Sequence, residues 1–400
     1  MKNAGRFVLI TLAVLSGCFF VLGLNGCGKS VVKEEATGPV FFPEPPNQPK
    51  LQFLTSYSGG EQFNIEKPSF LESFVLGDAE VKAGTITQPY GVAIHDGKIY
   101  VCDIGQGNIK VMDLVNNMFS LYPSGRSIRR PVNLFIEPDG TKYVADTLVD
   151  AICVWGPDDK LRGYLGKKLG IKPLDVYVQG DRVYATDLNS NQVVVLDKNT
   201  GDLVEHMGKE LADRTNWQAD EFSMITDLTV DKAGDIYVGD KLKGKVTVFN
   251  SDGKVVREYG KPGSTASSLI RVKGMAVDRE GNVWVVDAGP AMAVKVFRKD
   301  GRLLMLFGLL GLERGQMYMP ADIVIDYDNI DLFSKYAVEG AKIEFLVLVT
   351  NQYGPHKVSV YGFGSFPEKY SLSVGGDKSK KAEGSTPESA DKAKDGPGKP

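Results

Sequence analysis

The sequence predicts an all-β fold: a six-bladed β-propeller of four-stranded blades, with an N-terminal strand completing the last blade. Three observations predict it. A degenerate internal repeat runs from Pro89 to Asn351. Each copy alternates apolar and polar residues at period two between Gly- and Asp-containing turns, the pattern of strand, turn and strand. The copies recur at about 40–50 residues, the length of one propeller blade.

The core of the repeat opens on Pro-x-Gly or Pro-x-Asp and closes on Tyr-Val-x-Asp or a relative of it. Copies occupy Pro89–Asp103, Pro131–Asp146, Pro173–Asp187, Ile225–Asp240 and Val272–Asp287, and a sixth runs from Pro320 to Asn351. The closing residue falls at 103, 146, 187, 240, 287 and 351, so the spacings are 43, 41, 53, 47 and 64. The long spacings mark insertions within a continuous series. Third strands follow at Ile109–Asp113, Ile152–Trp155, Val193–Asp197, Val246–Phe249, Val294–Phe297 and Val358–Tyr361. Fourth strands are visible at Leu161–Gly166, Val255–Gly260 and Leu303–Gly308. The sixth copy has none after Tyr361. Leu51–Tyr57 has the right pattern to supply it, which closes the ring and leaves fewer open edges.

Two recurrent positions read as structural. The closing Asp can accept hydrogen bonds from backbone N–H groups of the next turn. The large residue three places before it (Tyr100, Tyr143, Tyr184, Tyr237, Trp284 and Leu348) suits packing between blades.

The flanks carry other signals. Lys2 and Arg6 precede an uncharged, mostly apolar run from Phe7 to Leu24, the layout of an export signal over residues 1–26. Cys18 and Cys27 each end a lipobox-like sequence. Cys27 is the expected lipid attachment because polar Gly28, Lys29 and Ser30 follow it; Cys18 is the alternative, and an uncleaved span is another. The chain is thus expected to be exported and membrane-anchored, on the periplasmic or outer-membrane, cell-surface side. Residues 27–50 read as a Pro-rich, stiff tether, 51–366 as the propeller, and 367–400 as a disordered low-complexity tail. Gly23–Ser30 matches a phosphate-loop pattern, but no strand and helix frame it as that chemistry requires.

Composition narrows the function. The chain is 42% hydrophobic and 24% charged, with Lys+Arg 47, Asp+Glu 50 and net charge −3. Nucleic acid is not an expected partner without a basic surface. Outside the export region only Cys102 and Cys153 remain, and both read as buried free thiols.

At these repeats the chain resembles the NHL-repeat family of propellers, and its layout and its ending at Val349–Gly364 are similar to those of bacterial NHL lipoproteins. The resemblance implies a binding or scaffold role in the cell envelope, with multihaem cytochrome assemblies among the implied partners. No C-x-x-C-H haem site is present in the chain itself. Some six-bladed relatives are lyases with a histidine-held zinc. Here His95, His206 and His356 are placed by the repeat in a strand 1–2 turn, after a fourth strand and in a strand 2–3 turn, so they do not converge. No G-x-S-x-G elbow occurs. Lactonase-type relatives hold calcium in the central channel. The innermost strands offer a ring of Gly91, Asn133, Asp175, Asp227, Gly274 and Asp322. Asp175, Asp227 and Asp322 are the hard oxygen ligands Ca²⁺ would need; the same residues also suit hydrogen bonding between blades or to channel water.

The insertions bear on partners. Glu205–Met224 carries Trp217 and lies on the face of the strand 2–3 turns, the usual place for binding loops on a rigid scaffold. The insertion near Asn329–Ile343 lies on the opposite face. The sequence therefore points to a non-enzymatic, lipid-anchored propeller binding a protein partner on its loop-bearing face, without a required cofactor. The alternative is a Ca-dependent lactonase- or lyase-like enzyme working at the channel.

Overall fold

The computed structural model describes residues 38–65, 84–123, 128–213, 216–261, 263 and 265–371. They form six antiparallel sheets around a common axis. Blade 1 comprises Pro89–His95, Lys98–Asp103, Asn108–Asp113 and Met118–Tyr122. Blade 2 comprises Pro131–Ile136, Lys142–Asp146, Ala151–Trp155 and Leu161–Leu165. Blade 3 comprises Pro173–Gln179, Arg182–Asp187, Gln192–Asp197 and Leu203–Met207. Blade 4 comprises Ile225–Val230, Ile236–Asp240, Lys245–Phe249 and Val255–Tyr259, and blade 5 Val272–Val277, Val283–Asp287, Ala293–Phe297 and Leu303–Phe307. Blade 6 comprises Pro320–Asp326, Lys342–Asn351 and Val358–Ser365, and Leu51–Tyr57 is its fourth strand, antiparallel to Val358–Ser365. The six-bladed propeller read from the repeat is the fold.

Local chemistry makes the hairpins. The turn joining the first two strands of blade 1 is Asp96–Gly97, with φ of 47° and 71°. Two consecutive left-handed residues give the turn whose twist matches its strands, and Asp-Gly is a sequence that tolerates it. Inward-facing β-branched and aromatic residues fill the spaces between blades. Between blades 5 and 6, Trp284 meets the rings of Phe345 and Phe363, each at 5.7 Å. Between blades 1 and 2, Tyr122 meets Trp155 at 5.8 Å. The recurrent position therefore packs between blades, and in three of them its polar tip is satisfied. Tyr143 donates to Glu137, Tyr237 to Asp231 and the Trp284 indole to Asp278, at 2.9, 3.2 and 3.0 Å.

Blades 1 and 3 have the fourth strands that four-stranded blades call for, at Met118–Tyr122 and Leu203–Met207; elsewhere the structure departs from the sequence reading. His206 lies within the fourth strand of blade 3, opposite Val194, so the following insertion begins later than Glu205. That insertion holds a short parallel pairing of Lys209–Glu210 with Glu221–Phe222. The segment expected to be wholly tether supplies another strand, Val40–Phe42, paired to Leu51–Phe53. Phe41 is buried there against Phe366 and Tyr370, at 5.2 and 5.1 Å, so the folded region also runs past 366. The blade 6 insertion carries a short helix, Ile330–Phe333, whose Phe333 is buried in the core shared with blade 1.

The segment read as an export signal, with Cys18 and Cys27, the phosphate-loop look-alike and the residues beyond Ser371 lie outside the described residues. Among those described, no helix is long and apolar enough to cross a membrane. Cys102 and Cys153 are buried and free.

Candidate functional site

The closing acids build the frame of the loop-bearing face. Asp146 accepts from the N–H groups of Arg129 and Arg130 in the connection before its blade, and from Leu148 and Val149 in its own strand 2–3 turn. Asp240 does the same with Ser223, Met224, Leu242 and Lys243. Each acid thus ties two loops together, one more than the sequence suggested. In blade 6 Asn351 keeps one acceptor for the Tyr318 N–H and uses its amide to donate to the His356 carbonyl.

At the axis the predicted ring is assembled, as a hydrogen-bonded belt. The register of every first strand shifts near the ring residue. Asp175 accepts from its neighbour Val176 at 2.8 Å and from Leu228 of the next blade at 2.7 Å. Asp322 accepts from Val92 of blade 1 at 2.9 Å. Asn133 accepts from Leu134 at 2.8 Å. At Gly91 and Gly274 the neighbouring blade leaves no room for a Cβ. A Cβ on Gly91 would lie 2.6 Å from Asn133 Cα, and one on Gly274 would lie 2.5 Å from Asp322 Cα. Two positions of the ring therefore cannot carry a side chain.

Burial raises all three acids above the ordinary carboxyl range. The charges of Asp175 and Asp322 act further on Asp227, and that of Asp175 on Asp322. Asp227 Oδ2 is buried with no hydrogen-bond partner, beside the Asp175 carboxyl. Neighbouring carboxyl groups in a dry core do not both keep a charge, so protons are retained here. As for calcium, both Asp175 oxygens and Asp322 Oδ2 are aimed at backbone N–H groups. Among the described residues no three His, Cys, Asp or Glu side chains are placed to hold a metal ion. The donor set is right for Ca²⁺, but its arrangement does not fit the ion, which takes six or more converging oxygens.

No family model matches the chain, and no curated protein matches it. Among solved structures, it is similar to a protein of unknown function from Bacteroides thetaiotaomicron, at 13% identity and a TM-score of 0.54, covering 78% of this chain and 75% of that one. An auxiliary nutrient binding protein from the same organism is similar at 12% identity and a TM-score of 0.51, covering 70% of each chain. A calcium-binding regucalcin from Agrobacterium tumefaciens aligns at 13% identity and a TM-score of 0.49, covering 70% of this chain and 91% of that one. At these identities the likeness concerns the fold alone.

The remaining predicted residues are dispersed. His95 ends the first strand of blade 1, His206 lies on the exposed outer strand of blade 3, and His356 bonds Ser56 Oγ through Nδ1 at 2.7 Å. Trp217 is on the loop-bearing face as expected, partly exposed, with Lys243 Nζ 5.2 Å from its ring centroid. On the opposite face a cavity of about 210 Å³ is lined by Tyr177, Gln179, Lys232, Arg279 and Tyr327 among others. Its acids are committed to turns, and the Arg279 guanidinium stacks 3.8 Å over Tyr327. The sequence reading did not single out Tyr90 and Lys273, which immediately precede ring positions 91 and 274. In a regular strand such neighbours face away from the axis; only the irregular register brings Lys273 of blade 5 over the Tyr90 ring of blade 1, at 5.1 Å.

Proposed function

We propose that this chain is a membrane-anchored extracytoplasmic binding protein that docks a protein partner of the cell envelope on the loop-bearing propeller face. What carries the proposal is the placement of exposed large apolar side chains. Leu148 and Leu242 sit in strand 2–3 turns, and Trp217, Ile270, Leu309 and Leu312 in connections between blades. Exposed apolar side chains gathered on one face offer contact points for a partner, and here they stand on loops held in pairs by buried acids. The export signal and Cys27 lipobox support an envelope location. The resemblance to NHL lipoproteins makes electron-transfer assemblies the partner class to try first. The hydrogen-bonded state of the ring acids favours binding over channel catalysis.

The test is recovery of partners from solubilised membranes with the tagged full chain. A specific protein should copurify with the wild type and with the outer-strand control Val256→Asp, and be lost with Leu242→Asp/Leu312→Asp. No stable partner for the wild type, or equal recovery by the double variant, rejects the proposal.

A further inference from the structure

Five lysines are buried among the described residues: Lys110, Lys142, Lys243, Lys273 and Lys295. Four have a carboxylate at hand. Lys295 pairs with Asp287 at 2.8 Å and Lys142 with Asp159 at 2.6 Å. Asp103 acts on Lys110, and Asp240, Glu221 and Glu258 act on Lys243. Lys273 differs. Its Nζ donates to Gln352 Oε1 at 3.0 Å and lies over the Tyr90 ring. After burial, the charges that act on it are those of Lys241 and Arg271, and both repel. Burial and then Arg271 depress Lys241 in turn. Asp175, Asp227 and Asp322 act on the Tyr90 hydroxyl, which burial and then their charges hold un-ionised.

We propose that the surroundings of Lys273 on the loop-bearing face form an anion-binding site, with Lys273, Lys241 and Arg271 as its cations, and that it takes a phosphate or carboxylate group. An ammonium has three donors, and Gln352 supplies one acceptor; an anion's oxygens supply others and the missing counter-charge. Arg271 is exposed and offers the planar fork that binds either group with two parallel bonds. Arg130 and Lys172 occupy the position of Arg271 in blades 2 and 3, immediately before the first strand. They extend the positive potential around the axis and favour anion capture. The site stands whether or not a protein docks on the surrounding loops.

The experiment titrates the full chain with inorganic phosphate and, separately, with succinate, at constant ionic strength set by sodium chloride, followed by calorimetry. Saturable binding of one or both is expected, and which anion binds distinguishes a phosphate from a carboxylate source. Lys273→Met should weaken binding by about tenfold or more and Arg271→Gln by roughly threefold to tenfold, as expected for the loss of one close charged contact. Lys232→Gln on the opposite face should change nothing. Succinate stays doubly ionised from pH 7 to 9.5, so its affinity should fall over that range as Lys273, which burial lowers to about 8, loses its proton. Absence of saturable binding by the wild type, or unchanged binding by Lys273→Met, overturns the proposal. Should Lys273→Met not fold, unchanged binding by the exposed Arg271→Gln overturns it instead.

Discussion

The Val92 N–H of blade 1 donates to Asp322 Oδ2 of blade 6 at 2.9 Å, so the first and last blades meet through the same kind of bond that Leu228 of blade 4 makes to Asp175 of blade 3. Ring closure at the axis therefore repeats an ordinary inter-blade contact. Asp322→Ala leaves a buried N–H without an acceptor, and a loss of about 1–3 kcal/mol is expected. Asp322→Asn keeps an acceptor oxygen and should lose less. Urea unfolding of the two variants checks this; equal losses would show that the bond to Val92 is not what the carboxyl contributes.

The protons retained by the axial acids predict a pH dependence. Burial raises Asp175 to about 7, and burial with the Asp175 charge raises Asp322 to about 8, from an ordinary 3.8; Asp227 is raised as well. Raised carboxyls bind protons in the folded chain that the unfolded chain releases, so their stability is full below about pH 4 and declines as pH rises towards 8. Asp227→Asn removes one such group and supplies an amide that can donate to Asp175. It should raise stability at pH 8 by about 1 kcal/mol or more and much less at pH 5. Thermal melts at the two pH values decide; equal shifts would refute a raised Asp227 carboxyl.

Gly91 and Gly274 predict a steric cost. Neither has the left-handed backbone that would itself demand glycine, so the penalty of Gly91→Ala or Gly274→Ala comes from contact with the next blade. Overpacking of this kind costs about 1–3 kcal/mol. Gly180→Ala is a useful contrast, because its Cβ meets nothing within 4 Å and its φ of 58° is the only objection. Denaturant midpoints should fall more for the two axis variants than for Gly180→Ala.

How far the sequence was legible follows from which contacts are local. The closing Asp bonds residues two and three places ahead, as Asp103 does with Gly105 and Gln106, so its spacing marks the blade in the sequence itself. The ring residues were legible because they fall at a fixed distance from the strand start. Lys273 and Tyr90 were not, because a shifted register brings together residues 183 positions apart, a separation read from their numbers. Val40–Phe42 was hidden by Pro39, Pro43, Pro45 and Pro46, which read as a tether. Only Phe366 and Tyr370, far along the chain, give Phe41 a core to join. The fourth strand of blade 3, Leu203–Met207, is exposed at all but its last residue and so lacks the alternation that reveals a strand.

The strand that closes blade 6 predicts how truncation behaves. Leu51, Phe53, Leu54 and Tyr57 are all buried, and the strand covers an edge of Val358–Ser365 that would otherwise present free N–H and C=O groups. A chain beginning at residue 39 keeps both Val40–Phe42 and the closing strand and should melt cooperatively near the full-length temperature. A chain beginning at residue 58 loses a full face of buried side chains and exposes a strand edge, which invites association with other copies. It should elute as aggregate or melt far lower, and a peptide of residues 39–57 added in trans should restore part of the loss. Size-exclusion profiles and melting curves of the two truncations measure this. A monomeric, equally stable chain from residue 58 would mean that the three strands of blade 6 hold the ring closed without help.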